Sequence, residues 1–259
     1  MMNWTESDGQ SAPVTVTVPD RETLLADLAL RLDRNAGFSV ATLNLDHVVK
    51  LRQEPAFRTA YAAQTHVTAD GNPIVWLSKL AGQRDVALVP GSDLIEPIAA
   101  LAAEKGAPIG LFGATEASLE AAAEALKLDH PELVITYLAA PPMGFDPEGV
   151  AADQAISAMG ESGARVVFLA LGAPKQERFA ARAQATLADV GFLSIGAGLD
   201  FVSGAQTRAP GWVRAMAAEW LWRMLSNPRR LAARYCACLV VLPGLTARAL
   251  GARRRSDAA

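Results

Sequence analysis

The sequence predicts an α/β fold: a Rossmann-like, doubly wound, mostly parallel sheet followed by a helical, arginine-rich appendage. Three observations carry this. Short β-branched apolar runs alternate with longer alanine- and leucine-rich segments whose apolar residues recur three and four apart. Repeated strand–helix–strand alternation implies parallel pairing with crossover helices. From about Pro210 the strand pattern stops, and the charge turns strongly positive.

Taken in chain order, residues 1–12 are polar and are expected to be disordered, with no apolar stretch of the kind a signal peptide carries. Strand patterns follow at "VTVTV" (14–18), "FSVATLN" (38–44), "THVTAD" (65–70), "DVALV" (85–89), "PIGLFG" (108–113), "LVITYL" (133–138), "ARVVFLALG" (164–172) and "VGFLSIGAG" (190–198). Helical spacing marks 21–34, 92–105, 115–127, 150–161 and 175–188, with Thr115 placed as an N-cap. Residues 13–209 are thus expected to form the α/β domain. Residues 210–250 read as helices broken near Asn227-Pro228 and Pro243-Gly244, and 251–259 as a disordered basic tail.

Composition bounds the function. The 259 residues are 51% apolar and 20% charged, enough for a sizeable core. The net charge of −3 conceals an asymmetry: from Ala205 onward ten arginines, no lysine and two acids give +8, leaving −11 for the rest. An arginine-only tail suits anions such as phosphate or an anionic lipid surface, because guanidinium binds phosphate bidentately. Trp212, Trp220 and Trp222 accompany the arginines, as in an interfacial helix, or as anchors that dock the appendage. "CACLVVLPGL" (236–245) is too short to span a bilayer. Cys236 and Cys238 read as small apolar residues and fit a reducing compartment.

In open α/β sheets, ligands bind beyond the carboxyl ends of the strands. Several polar strand ends therefore share one rim: Thr42, Asn44, Asp46 and His47; Asp70-Gly71; Asp93 in "PGSDL"; Gly172, Lys175, Gln176 and Glu177 in "LGAPKQE"; Gly196, Gly198 and Asp200 in "GAGLD"; and then Arg208. Gly172, Gly196 and Gly198 would let backbone N–H groups approach a diphosphate beside a helix N-terminus. Lys175 would neutralise phosphate charge, and Gln176 would bond sugar hydroxyls. Asp70 is a candidate general base. Each also has an ordinary reading: Asp70-Gly71 as a turn, Asp93 as an N-cap, Glu177 as a helix-dipole partner. No P-loop, no G-x-S-x-G elbow and no early G-x-G-x-x-G is present, which disfavours an NTPase, a serine hydrolase and a dinucleotide-dependent dehydrogenase. No D-x-D motif is present, so neither metal nor other cofactor is expected.

"TLNLDHV", "TADG", "PGSDL", "LGAPKQE", "GAGLDFVSGAQTRAP" and "EWLWRMLSNPRRLAARY" occur in this order. The set resembles the WecG/TagA/CpsF family of bacterial glycosyltransferases (glycosyltransferase family 26) over about residues 14–245. The resemblance implies an inverting, metal-independent enzyme that transfers a hexose from a UDP-sugar to a polyprenyl-diphosphate-linked saccharide, on the cytoplasmic face of the membrane. It implies Thr42 and Asn44 near the donor, Asp70 as base and Gln176 in the site. Arg223, Arg230 and Arg234 would meet a diphosphate. Asn72 stands where the family has glycine and Leu88 where it carries arginine. The transferred sugar stays open among N-acetylmannosamine, another hexose or a uronic acid. A homo-oligomer is compatible with these features. The rival classes are a non-catalytic nucleotide-sugar or polyanion binder and a nucleic-acid binder; the acidic body and the lack of a nucleic-acid module argue against the last.

Overall fold

A computed structural model describes residues 2–5, 12–204, 222 and 228–257. Six strands form one all-parallel sheet: β1 (Phe38–Leu43), β2 (His66–Ala69), β3 (Ile109–Gly113), β4 (Ile135–Ala139), β5 (Val166–Ala170) and β6 (Gly191–Ser194), in the order β2-β1-β6-β5-β3-β4. The chain winds outward from β1 to one edge, crosses to the other half, and returns so that β6 pairs with β1. The helices are α1 (Arg21–Asp33), α2 (Leu45–Gln53), α3 (Pro55–Ala62), α4 (Asn72–Leu80), α5 (Ile95–Glu104), α6 (Glu116–Asp129), α7 (Val150–Glu161), α8 (Lys175–Thr186), α9 (Gly198–Val202) and α10 (Pro228–Asp257). Helices α2, α3 and α4 lie outside the segments that helical spacing singled out.

Both faces of the sheet are buried, so the central strands are apolar throughout rather than alternating. Phe38 and Val40 of β1, Ile109 and Leu111 of β3, and Val166 and Phe168 of β5 point to one face, against α1, α5 and α6. Their neighbours point to the other. Ala41 and Leu43 meet α2, α4 and α10, while Val167, Leu169 and Phe192 meet α7 and α8. Gly191 sits opposite Phe38, and a Cβ there would lie 2.2 Å from the phenylalanine ring. Local signals start the helices: Asp20 Oδ1 accepts from Thr23 N at 2.7 Å, and Thr115 Oγ1 from Ser118 N at 3.2 Å.

Four expectations change. Residues 14–18 and 85–89 run beside β2 without joining the ladder; Thr17 N–H and Val18 N–H both donate to Val67 O (2.9 and 3.3 Å), and Val89 N–H donates to Ala69 O at 2.8 Å. They cover an edge instead of extending it. The expected disorder of 1–12 does not reach Met2 and Trp4, which are buried against the second cluster because their apolar bulk fills space beside α4 and α10. Helix α10 continues through Pro243-Gly244, where a break was expected. Both residues lie on its exposed side, where water can take the carbonyl that proline leaves unpaired. It also runs to Asp257, through most of the segment expected to be a disordered tail.

Helix α10 belongs to the same core as the sheet domain. Leu245 and Ala249 are fully buried against α2 and α4, and the Arg248 guanidinium donates to the carbonyls of Asn3 (2.7 Å) and Thr5. Its stretch Leu231–Arg255 is long and apolar enough to cross a membrane by length and composition, with 22% of the window buried inside the fold.

Gly191→Ala should lower the unfolding free energy by about 1–3 kcal/mol through overpacking against Phe38, measured by urea unfolding.

Candidate functional site

Parallel strands put every carboxyl end on one side, and the order β2-β1-β6-β5-β3 lines up the turns that follow them. The ends of β3, β5 and β6 enclose an open cleft of about 190 Å³ lined by Ala114, Ala170, Leu171, Gly172, Gly196, Ala197 and Asp200. Gly172 (φ 72°), Gly196 (φ 57°) and also Ala114 (φ 54°) are in the left-handed region, which bends the chain sharply away from the sheet at the lip. No contact atom lies where a Cβ would project from Gly172 or Gly196, so the constraint there is conformational.

On the same rim, the ends of β1 and β2 carry a polar cluster around one carboxylate, Asp70. Asp70 N–H donates to Leu43 O at 2.7 Å, which fixes the residue against the end of β1. Its Oδ2 lies 3.5 Å from Thr42 Oγ1 and 3.4 Å from Asn44 Nδ2. Asn44 is held because it caps α2, its Oδ1 accepting from His47 N at 3.0 Å, so its amide nitrogen turns to Asp70. Gly91 closes the gap to β6: a Cβ there would sit 3.3 Å from both Thr42 Oγ1 and Ser194 O.

The "PKQE" turn opens α8. Lys175 is its first residue and half-buried. Gln176 was expected to face a sugar, yet it is 2% exposed and bridges two turns: Oε1 accepts from Gly196 N at 3.0 Å, while Nε2 donates to Glu177 Oε1 at 2.9 Å. Glu177 was also placed at the substrate surface, but it is completely buried. Its backbone carbonyl accepts from Gln64 Nε2 at 3.1 Å, and its Oε2 has no hydrogen-bond partner. Burial pushes the Glu177 carboxyl up to about 7, partly offset by the Gln176 amide. Burial likewise holds Tyr61 well above the usual phenol range, with the charges of Glu177 and Asp70 adding to it. His47 Nδ1 lies 3.2 Å from Tyr61 Oη, and burial, with Lys50 nearby, lowers His47 to about 3, so it is neutral at neutral pH.

The remaining expected residues divide. Gly198 is a packing position, where a Cβ would lie 2.7 Å from Ile95 Cδ1, and its backbone N–H donates to Ile195 O at 3.0 Å. Asp93 is exposed on the 3-10 turn Gly91–Asp93. Asp200 lines the cleft. Arg208 and Arg223 lie outside the described residues; so does the side chain of Arg230, although its backbone is helical. Arg234 pairs with Asp46, Nε to Oδ1 at 3.1 Å. Sequence reasoning missed Lys50, Tyr61, Gln64 and Ala114. Only the Asp46–Lys50 spacing of four residues hinted at an ion pair. Among the described residues no group of three or more metal-ligating side chains is present.

Sheet order and rim together define a doubly wound α/β protein with an open cleft at the carboxyl ends of β3, β5 and β6. The chain belongs to the glycosyl transferase WecG/TagA/CpsF family, whose model matches residues 11–258. It is similar to the N-acetylglucosaminyldiphosphoundecaprenol N-acetyl-beta-D-mannosaminyltransferases of Bacillus spizizenii (28% identity over 77% of this chain and 75% of the relative) and of Bacillus subtilis strain 168 (23% identity, with the same coverage).

Glu177 gives a signed pH prediction. Below about 4.5 it is protonated in folded and unfolded chains alike; between there and about 7 the folded chain alone keeps the proton. Stability therefore falls as pH rises through this window and stays reduced above it. Glu177→Gln, which retains an acceptor for Gln176, should flatten that slope and raise the melting temperature at pH 8, read from thermal unfolding between pH 4 and 8.

Proposed function

We propose that this protein is an inverting glycosyltransferase that moves a hexose from a UDP-sugar to a polyprenyl-diphosphate-linked saccharide, working peripherally at the cytoplasmic membrane and without a metal ion. The observation that carries this reading is Asp70. It is a carboxylate at a strand end, flanked by Thr42 and Asn44, on the same carboxyl rim of the sheet as a cleft whose turns lead into α8 and α9. The names of the relatives support the acceptor class.

In the proposed reaction Asp70 removes the proton of the acceptor hydroxyl. The oxygen attacks the anomeric carbon from the face opposite the nucleotide, and the bond from that carbon to the UDP oxygen breaks with inversion. The departing diphosphate gains negative charge. The N-terminus of α8, Lys175 and the arginines Arg208, Arg223 and Arg230 supply the compensating positive potential. The donor sugar is N-acetylmannosamine, another hexose or a uronic acid.

The outward side of α10 is the proposed membrane surface. Cys236, Leu239, Val240, Pro243, Ala247 and Leu250 form one exposed apolar stripe, and Arg253, Arg254 and Arg255 follow it at the exposed C-terminal end. An apolar stripe ending in cations suits an anionic bilayer interface.

UDP release should be measured with a panel of UDP-sugars and a short-chain polyprenyl-diphosphate-N-acetylglucosamine acceptor, in EDTA. Asp70→Asn should cut turnover by about 10²–10⁴-fold with the fold intact; near-wild-type turnover removes Asp70 as base, and a strict manganese requirement ends the metal-free mechanism. Separately, Val240→Glu should abolish co-sedimentation with phosphatidylglycerol vesicles while leaving the melting temperature unchanged, since Val240 is 79% exposed.

A further inference from the structure

We infer that Lys50 and Arg234 are positioning residues, and that through them the seating of α10 sets the geometry of the cleft's lip. The inference rests on the reading of the cleft and of α10 given above, and it names how the two communicate.

Three contacts form a continuous polar chain. Arg234 Nε of α10 lies 3.1 Å from Asp46 Oδ1 in the first turn of α2. Asp46 Oδ2 lies 2.9 Å from Lys50 Nζ, one helical turn on. Lys50 Nζ donates to the carbonyl of Ala173 at 3.0 Å, 123 residues further along the chain. Ala173 sits between Gly172, which lines the cleft, and Pro174, the N-cap of α8. Lys50 is therefore the one described side chain that grips this turn from outside its own β5–α8 unit by a hydrogen bond. Its remaining charge is balanced by Asp46, and Asp46 is shared with α10.

The arrangement is not surface decoration. The Asp46 side chain is 12% exposed and Lys50 28%, so both ions have given up most of their water and depend on each other. Removing Arg234 leaves Asp46 with Lys50 alone and draws the ammonium toward it, away from the Ala173 carbonyl. Removing Lys50 leaves that carbonyl without its donor and Asp46 with Arg234 only. Either change loosens Gly172–Pro174. That turn precedes Lys175 and the Gln176–Gly196 bridge, so both walls of the cleft feel it. Arg234 thus acts on the site through Asp46, not as a ligand of a phosphate.

The test uses the full chain without ligand, so it stands whether or not the transfer reaction is found. Amide hydrogen exchange is followed by mass spectrometry in peptides covering 171–178 and 228–257. Lys50→Met and Arg234→Gln should each speed exchange in 171–178 by roughly tenfold, the scale of one lost charge-assisted hydrogen bond. Arg234→Lys, which keeps the cation, should restore the wild-type rate. The double variant should exchange no faster in 171–178 than Lys50→Met alone, because both act through one chain. Acceleration confined to 228–257 in Arg234→Gln, or additive effects in the double variant, would overturn the inference. Where transfer is measurable, Lys50→Met should raise the donor KM more than it lowers kcat.

Discussion

The pairing of β1 with β6 is the constraint on which the rest of the molecule depends. It joins residues 38–40 to residues 191–193, so the first and last strands of the sheet become neighbours. The contact needs Gly191, because the Phe38 ring occupies the space that any side chain there would take. Once those strands are adjacent, Thr42, Asn44 and Asp70 stand next to Ser194 and Gly196. A carboxylate from the first third of the chain then shares a rim with glycines from the last third. Closing so long a loop costs conformational entropy, and the apolar faces of two strands buried on both sides repay it.

Around this centre the polar groups fall into two kinds. Asp70 and Asp200 are partly accessible, and Asp200 lines the cleft. Gln176, Glu177, Tyr61 and His47 are buried and hold one another in two pairs, Gln176 with Glu177 and His47 with Tyr61. The buried kind carries the electrostatic strain: Glu177 keeps its proton to about neutral pH because the single amide donor at Oε1 does not make up for the lost water and Oε2 has no hydrogen-bond partner. Their work is architectural. Gln176 ties the β6 turn to α8, and Glu177 orients the Gln176 amide so that its oxygen faces Gly196. The rim stays in register because the layer beneath it is locked.

Helix α10 faces two environments. Leu245 and Ala249 contribute to the core, each buried leucine stabilising by roughly 1.5–3 kcal/mol, while Leu239, Val240 and Leu250 stay exposed. The division follows helical period: residues that pack on α2 and α4 lie on one side and the exposed apolar residues on the other. An appendage built this way cannot shift its outer face without disturbing an inner one that reaches Asp46.

By itself the sequence determined the α/β class, the parallel sheet, five of the helices and the cluster of polar strand ends. These follow from local periodicity and from the rule that parallel strands end together. It also pointed to Asp70 with Thr42 and Asn44, because each stands at the end of an apolar run. It over-counted strands at 14–18 and 85–89: a β-branched pattern reports extended backbone, and ladder pairing depends on a neighbour that period cannot see. It placed Gln176 and Glu177 at the ligand surface, since polarity reads as exposure until burial is known. Only the tertiary structure decided that they lie inside, that Arg234 pairs with Asp46, that Lys50 reaches Ala173, and that α10 runs on through Pro243. Each of those is set by contacts between residues far apart in the chain, and local pattern holds no record of which distant partner fills a given space or balances a given charge.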